Sequence, residues 1–162
     1  MKRLIIIGIG QELRGDDAVG IAVVREWAVE YPKKLASPQI EVDFLPLPGL
    51  ALLDHISGFE TAILVDAVLG GPGVRPGSLL NLSPEDLVSF TRGTGSAHGW
   101  GVAESLRLGR TLKQEDLPEK IIILGIGGKQ VDLGAKISPE VAEAIPEAVQ
   151  MLDHVVEEIL RG

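Results

Sequence analysis

Four side chains stand where acid–base or metal chemistry could be done: Asp16, Asp17, Asp66 and His98. Asp16 and Asp17 follow the apolar run at residues 4–9 and the turn Gly8-Ile9-Gly10, just before an apolar helical pattern. Carboxylates at such a turn have two common uses. They cap the helix or favour its positive end, each contributing about 1 kcal/mol or less. Alternatively they face a ligand at the sheet edge, where open α/β proteins place ligands. One cap per helix suffices, so Asp16 reads as the cap and Asp17 as the candidate for chemistry. Asp66 stands near the end of the apolar run at residues 61–67. Burying an unpaired carboxylate is costly. It therefore needs either backbone N–H partners from the Gly/Pro-rich stretch that follows or a solvent-lined cleft, and the residue alone leaves both open.

His98 falls between a Gly/Ser segment and a helix start, where a loop could carry it over the same edge. A lone histidine is usually structural. Yet two carboxylates and one imidazole suit an open site for a divalent ion, although spacing along the chain does not establish one. His55 and His154 lie in amphipathic helical patterns and read as surface or half-buried residues.

The Gly-x-Gly turn also invites a nucleotide reading. The dinucleotide fingerprint needs a third glycine three residues after the second, where Leu13 stands, and an acid roughly 20 residues further on. No clear counterpart of that acid is present, nor is the Gly-Lys-Ser/Thr of a phosphate loop, and the paired carboxylates would repel phosphate.

The elements that must carry these residues follow from periodicity. Residues 4–9, 61–67 and 120–125 read as buried strands, residues 40–45 as a strand with one wetter face, and residues 78–82 as a short strand. Val19, Val23, Trp27 and Tyr31 recur four apart and predict a helix that Pro32 stops. Leu50, Leu53 and Ile56 mark a second helix. Ser83-Pro84 starts another, and Val102, Leu106, Leu108 and Leu112 outline a fourth. Val141, Ile145, Val149, Leu152, Val156 and Ile159 stripe the last helical region, with Pro146 inside it predicting a kink or two abutting helices. The stretches 69–77 and 91–97 read as loops. The prediction is a single α/β domain over residues 1–162, three-layered, with about five mostly parallel strands flanked by helices.

Composition narrows the function. The 162 residues are 45% hydrophobic but only 4% aromatic, and the formal net charge is −8. A Val/Ile/Leu/Ala core suits helices on a parallel sheet. No basic run is present, so no nucleic-acid partner is expected. Without cysteine there are no disulfides, thiolate metal sites or cysteine nucleophiles. No membrane span and no signal peptide are read, and a cytoplasmic protein is expected. A monomer is expected from the absence of a long exposed apolar stripe.

Together the pieces resemble the hydrogenase maturation protease family, the endopeptidases that trim the large subunit of [NiFe] hydrogenases. Residues 8–20 (Gly-Ile-Gly-Gln-Glu-Leu-Arg-Gly-Asp-Asp-Ala-Val-Gly) resemble the family's opening Gly-x-Gly-Asn-x-Leu-x-x-Asp-Asp/Glu-Gly-x-Gly. Val65-Asp66-Ala67 resembles its Val-Asp-Ala strand end, Ser96-Ala97-His98-Gly99 its Ser/Thr-x-His segment, and Leu124-Gly125-Ile126-Gly127 its final-strand segment. Three departures stand out: Gln11 for the usual Asn, Ala18 for a common Gly, and Gly127-Gly128 where an acid or amide and a proline are often found.

The resemblance implies a phosphorylase/hydrolase-like fold and a peptidase, aspartic-type by family. It maps both the catalytic and the metal-contacting positions to Asp17, Asp66 and His98, with no further cofactor-binding residue. The nickel would be supplied by the substrate, a hydrogenase large-subunit precursor, whose C-terminal tail is removed. The nickel would act as a Lewis acid or activate a water, or it would only report readiness while Asp17 and Asp66 handle protons. Two rivals remain: a metal-dependent binding or chaperone module that does not cut, and another hydrolase on a similar scaffold, such as one acting on peptidyl-tRNA, against which the acidity counts.

Overall fold

β-Branched and leucine-rich runs without charge can be buried on both faces, and here they form the middle of a sheet. In the computed structural model, residues 2–71, 73–91, 101–112 and 114–162 are described. The strands are β1 (Lys2–Ile9), β2 (Ile40–Leu45), β3 (Phe59–Leu69), β4 (Leu79–Leu82) and β5 (Lys120–Gly128). They make one sheet in the order β2-β1-β3-β5-β4. All neighbours are parallel except β4 against β5. The mostly parallel five-stranded prediction is met, and the short strand at residues 79–82 is the antiparallel edge.

The helices are α1 (Val19–Glu30), α2 (Pro32–Leu35), α3 (Leu50–Ile56), α4 (Pro84–Thr91), α5 (Val102–Thr111) and α6 (Pro139–Arg161). They cover both faces of the sheet. Leu4, Ile6, Ile63, Val65, Leu124 and Ile126 point to one face and pack on Val23 and Trp27 of α1 and on Val149, Leu152 and Val156 of α6. Ile5, Ile7, Ala62, Leu64 and Ile123 point to the other, onto Leu52 and Ile56 of α3, Leu87 of α4 and Val102 and Leu106 of α5. This odd/even split along each strand is the period-2 alternation of a β-strand used twice.

Several local expectations are refined. Pro32 ends α1 but also opens α2, at whose first turn its missing N–H is no loss. Ser83 and Asp86 satisfy each other's backbone N–H at the start of α4, both at 3.1 Å. Leu112 is exposed, because it falls on the C-cap of α5 rather than within its apolar face. α6 is a single helix through Pro146, not two abutting ones. Pro146 and the residue four before it, Ala142, are both exposed, so the carbonyl that loses its N–H partner can turn to water. Among the described residues no helix is long and apolar enough to cross a membrane. The loop expected at residues 91–97 lies outside the described residues beyond Thr91.

Candidate functional site

The order of the strands fixes where a ligand can enter. From β1 the chain crosses through α1, on one face, to β2; it then returns through α3, on the other face, to β3. β1 and β3 are therefore neighbours whose connections leave in opposite directions. The crevice beyond the C-terminal ends of such a strand pair is where open α/β folds bind ligands. Asp17 follows β1, and Asp66 stands near the end of β3.

Asp17 is set by the turn before it. Gly10 has φ of 143°, and a Cβ there would stand 1.8 Å from the Asp17 carbonyl oxygen. Only glycine permits this fold-back. It brings the backbone N–H of Gln11 to the carboxylate, donating to Asp17 Oδ2 at 2.8 Å. Asp17 itself is buried within a 3-10 turn, Gly15–Ala18, that leads directly into α1. At the next turn Gly20 seats the helix against the strand ends: a Cβ there would be 2.3 Å from the Val65 carbonyl oxygen and 2.8 Å from that of Ile9. Asp17 thus stands, in the turn before α1, three residues ahead of the helix's close approach to Val65, the neighbour of Asp66.

Asp66 lies opposite Gly125 of β5 and is half-buried. Its Oδ1 accepts the Ala67 backbone N–H at 2.8 Å. This donor is its own neighbour within β3, not the Gly/Pro-rich stretch from which backbone partners were expected. The carboxylates of Asp17 and Asp66 offer hard oxygen donors that suit a divalent ion. His98, the third expected ligand, lies outside the described residues. Among the described residues no group of three His, Asp or Glu side chains is arranged to hold a metal. His55 is half-buried against Asp43, Nδ1 to Oδ2 at 2.5 Å, and His154 is exposed near Glu158, in line with the reading of both as peripheral.

Asp16 corrects the sequence reading. It makes no cap for the first helix: neither the 3-10 turn nor α1 has a side-chain cap. Instead it is fully buried and reaches the β5–α6 connection. Oδ1 accepts from the Ser138 backbone N at 2.6 Å. Oδ2 accepts from the backbone N of Lys129 and of Gln130, both at 2.9 Å, and from the Ser138 hydroxyl at 2.8 Å. Ser138 is the N-cap residue of α6 and caps nothing with its own side chain; Asp16 instead binds the Ser138 N–H and hydroxyl, close to the positive end of the helix. Burial pushes the Asp16 carboxyl up, but the hydrogen bonds to Lys129, Ser138 and Gln130 outweigh it and hold the group below the ordinary carboxylate value. A second acid beside Asp17, where one cap is enough, was the only sequence signal of this role.

The three departures from the family pattern are now explained. The bond to Asp17 comes from the main chain of residue 11, so Gln for Asn leaves it intact. Ala18 has φ of −76°, which needs no glycine. A Cβ on Gly127 would be 2.1 Å from the Arg75 carbonyl oxygen, and one on Gly128 would be 3.0 Å from the Asp16 Cβ. The glycine pair lets the preceding Gly/Pro loop and Asp16 close onto the end of β5.

A groove of about 780 Å³ lies at the other end of β5, lined by Pro84, Glu85, Arg110, Lys120 and Ile121 among others. It encloses neither acid, and its surface ion pair, Arg110 with Glu85 at 2.9 Å, adds little.

Known proteins agree with this frame. The family model HycI, hydrogenase maturation protease, matches residues 47–154. Protein FrxA of Pyrococcus furiosus is 30% identical over 145 residues, covering 89% of this chain and 98% of that protein. The hydrogenase 2 maturation protease of Escherichia coli is 22% identical over 93% of this chain and 88% of its own length. Among solved structures, the hydrogenase maturating endopeptidase HybD from E. coli superposes with a TM-score of 0.76 at 22% identity, over 96% of this chain and 93% of that one. The [NiFe] hydrogenase maturation protease HybD from Thermococcus kodakarensis gives 0.69 at 26% identity, over 94% and 98%. With the family pattern matched across most of its length, this chain belongs to the hydrogenase maturation protease family, a family of endopeptidases.

Proposed function

We propose that this chain removes the C-terminal tail of a nickel-loaded [NiFe] hydrogenase large-subunit precursor, and that Asp17, Asp66 and His98 meet the substrate's nickel and the bond to be cut. The observation that carries the reading is that Asp17 follows β1 and Asp66 stands near the end of its neighbour β3, where the sheet's connections diverge. Each is oriented by a backbone N–H, from Gln11 and from Ala67. A carboxylate so placed can take a proton from the attacking water and return it to the leaving amide nitrogen. The nickel, as part of the substrate, would polarise the scissile carbonyl or serve as the mark of a finished metal centre. The reading carries with it a monomeric, cytoplasmic enzyme.

The test is mass spectrometry of nickel-loaded and nickel-free precursor after incubation with the native chain and with Asp17→Ala, Asp66→Ala and His98→Ala. Shortening of the loaded precursor alone, lost in each variant, is expected. Full cleavage by Asp17→Ala or His98→Ala removes the site. Equal cleavage of the nickel-free form removes nickel recognition. A bound but unshortened precursor favours a binding module.

A further inference from the structure

We propose that Leu13 and Leu133 form a docking surface for an apolar segment of the protein substrate, alongside the acids. This rests on the endopeptidase reading above and adds to it where the body of the substrate sits. Both leucines are strongly exposed, 72% and 70%. Scattered exposed leucines need no explanation, but these two are brought together. The backbone N–H of Gly134 donates to the Leu13 carbonyl oxygen at 2.7 Å, so the two turns that carry them run side by side.

The pair is held stiffly. Gly15 N donates to Ala135 O at 3.1 Å and Asp16 N to Gln130 O at 2.7 Å. The fully buried Asp16 carboxylate adds four more bonds to the same connection. Gly15 has φ of 55°, and a Cβ there would lie 2.3 Å from the Gln130 carbonyl oxygen, so the approach is available only to glycine. A surface ordered before binding loses little freedom when it binds.

Position decides the occupant. Leu13 lies four residues before Asp17, and the turn between them is closed by Asp17 N donating to Arg14 O at 3.1 Å. Whatever covers Leu13 therefore lies next to the candidate cleavage site, and the substrate of an endopeptidase is a polypeptide. Leu47 and Leu50, also exposed, follow β2 at the same sheet edge and lead into α3, on the other face. Exposed apolar residues thus stand on both sides of the acids. Apolar side chains left exposed on neighbouring turns beside a site suit an interaction surface.

The experiment uses nickel-loaded precursor with the native chain, with Leu13→Ser/Leu133→Ser, and with Val29→Ser, an equally exposed residue on the C-terminal half of α1. Initial rates give KM and kcat. Binding is measured in an Asp17→Ala background, with and without the leucine changes, so that nothing is cut. The expected result is KM and Kd raised about tenfold or more by the double change, what burial of a single leucine is worth, with kcat within twofold and Val29→Ser like the native chain. Unchanged Kd overturns the proposal whether or not cleavage occurs. So does a fall in kcat alone, an equal effect of Val29→Ser, or a native dimer that the double change dissolves, since a second copy would then be the occupant. If the native chain binds the precursor without shortening it, while the double change weakens that binding, the docking surface stands and the endopeptidase reading falls.

Discussion

Replacing Asp16 is the most discriminating perturbation of this fold. Asp16→Ala leaves the backbone N–H groups of Lys129 and Gln130, the buried N–H of Ser138 and the buried Ser138 hydroxyl without their acceptor. Hydrogen bonds to a charged group contribute about 1.5–3 kcal/mol each. They share one carboxylate and one connection, so they do not add, and a loss of about 3–5 kcal/mol is expected. That is a large part of the roughly 5–15 kcal/mol that holds a domain of this size. Asp16→Asn keeps one acceptor oxygen but turns an NH2 group toward at least one of the same donors, and a loss of about 1.5–3 kcal/mol follows. Urea unfolding followed by far-ultraviolet circular dichroism measures both. A helix cap would contribute only about 1 kcal/mol, so a loss of that size or less for Asp16→Ala refutes its role in holding the β5–α6 connection.

The pH dependence gives the same reasoning a second exposure. The folded-state pKa of Asp16 lies below its unfolded value, which is about 3.9. The stabilisation is therefore complete above that pH and is lost as pH falls through the folded pKa. The stability gap between the native chain and Asp16→Asn should be constant from neutral pH to about 5 and narrow below about 4. A gap that widens on acidification contradicts it.

Two further changes test how the elements are seated. Gly20→Ala should destabilise by about 1–3 kcal/mol in thermal melts despite alanine's better helix propensity, because the new methyl meets two carbonyl oxygens that cannot both move; a more stable variant would refute the close approach. Pro146→Ala restores an N–H to an exposed stretch of α6 and should raise Tm by about 3–8 °C; an unchanged or lower Tm would mean that the helix uses the distortion.

The strand layout was legible because the apolar runs at residues 4–9, 61–67 and 120–125 have little else to do than sit in a sheet. The sheet edge that carries Asp17 was legible for the same reason: a Gly-x-Gly turn between strand and helix has one place to be. What Asp16 does was not, because every partner of its side chain lies 113 to 122 residues away, and three of its four bonds come from backbone groups that carry no sequence signature. The exposure of Leu112 escaped for a smaller reason, one turn too many added to a correct helical stripe. Leu13 was noticed only as a missing glycine and as the leucine of the opening motif, neither of which marks it as exposed, and its partner Leu133 lies in a stretch with no periodicity at all.

The distance between Asp16 and its partners also sets an order of events. Contacts at such separations form late, after the intervening chain has been collected. A nascent chain that stops short of Ser138 already contains β1, both acids and all five strands, yet the residue that steadies the Asp17 turn has lost its nearest partner, at 2.6 Å. Lys129 and Gln130 can already hold the turn, but two of the four bonds to the Asp16 carboxylate wait for Ser138 at the start of the final helix. A chain that ends before the final helix thus carries its acids on a turn held by only part of its brace.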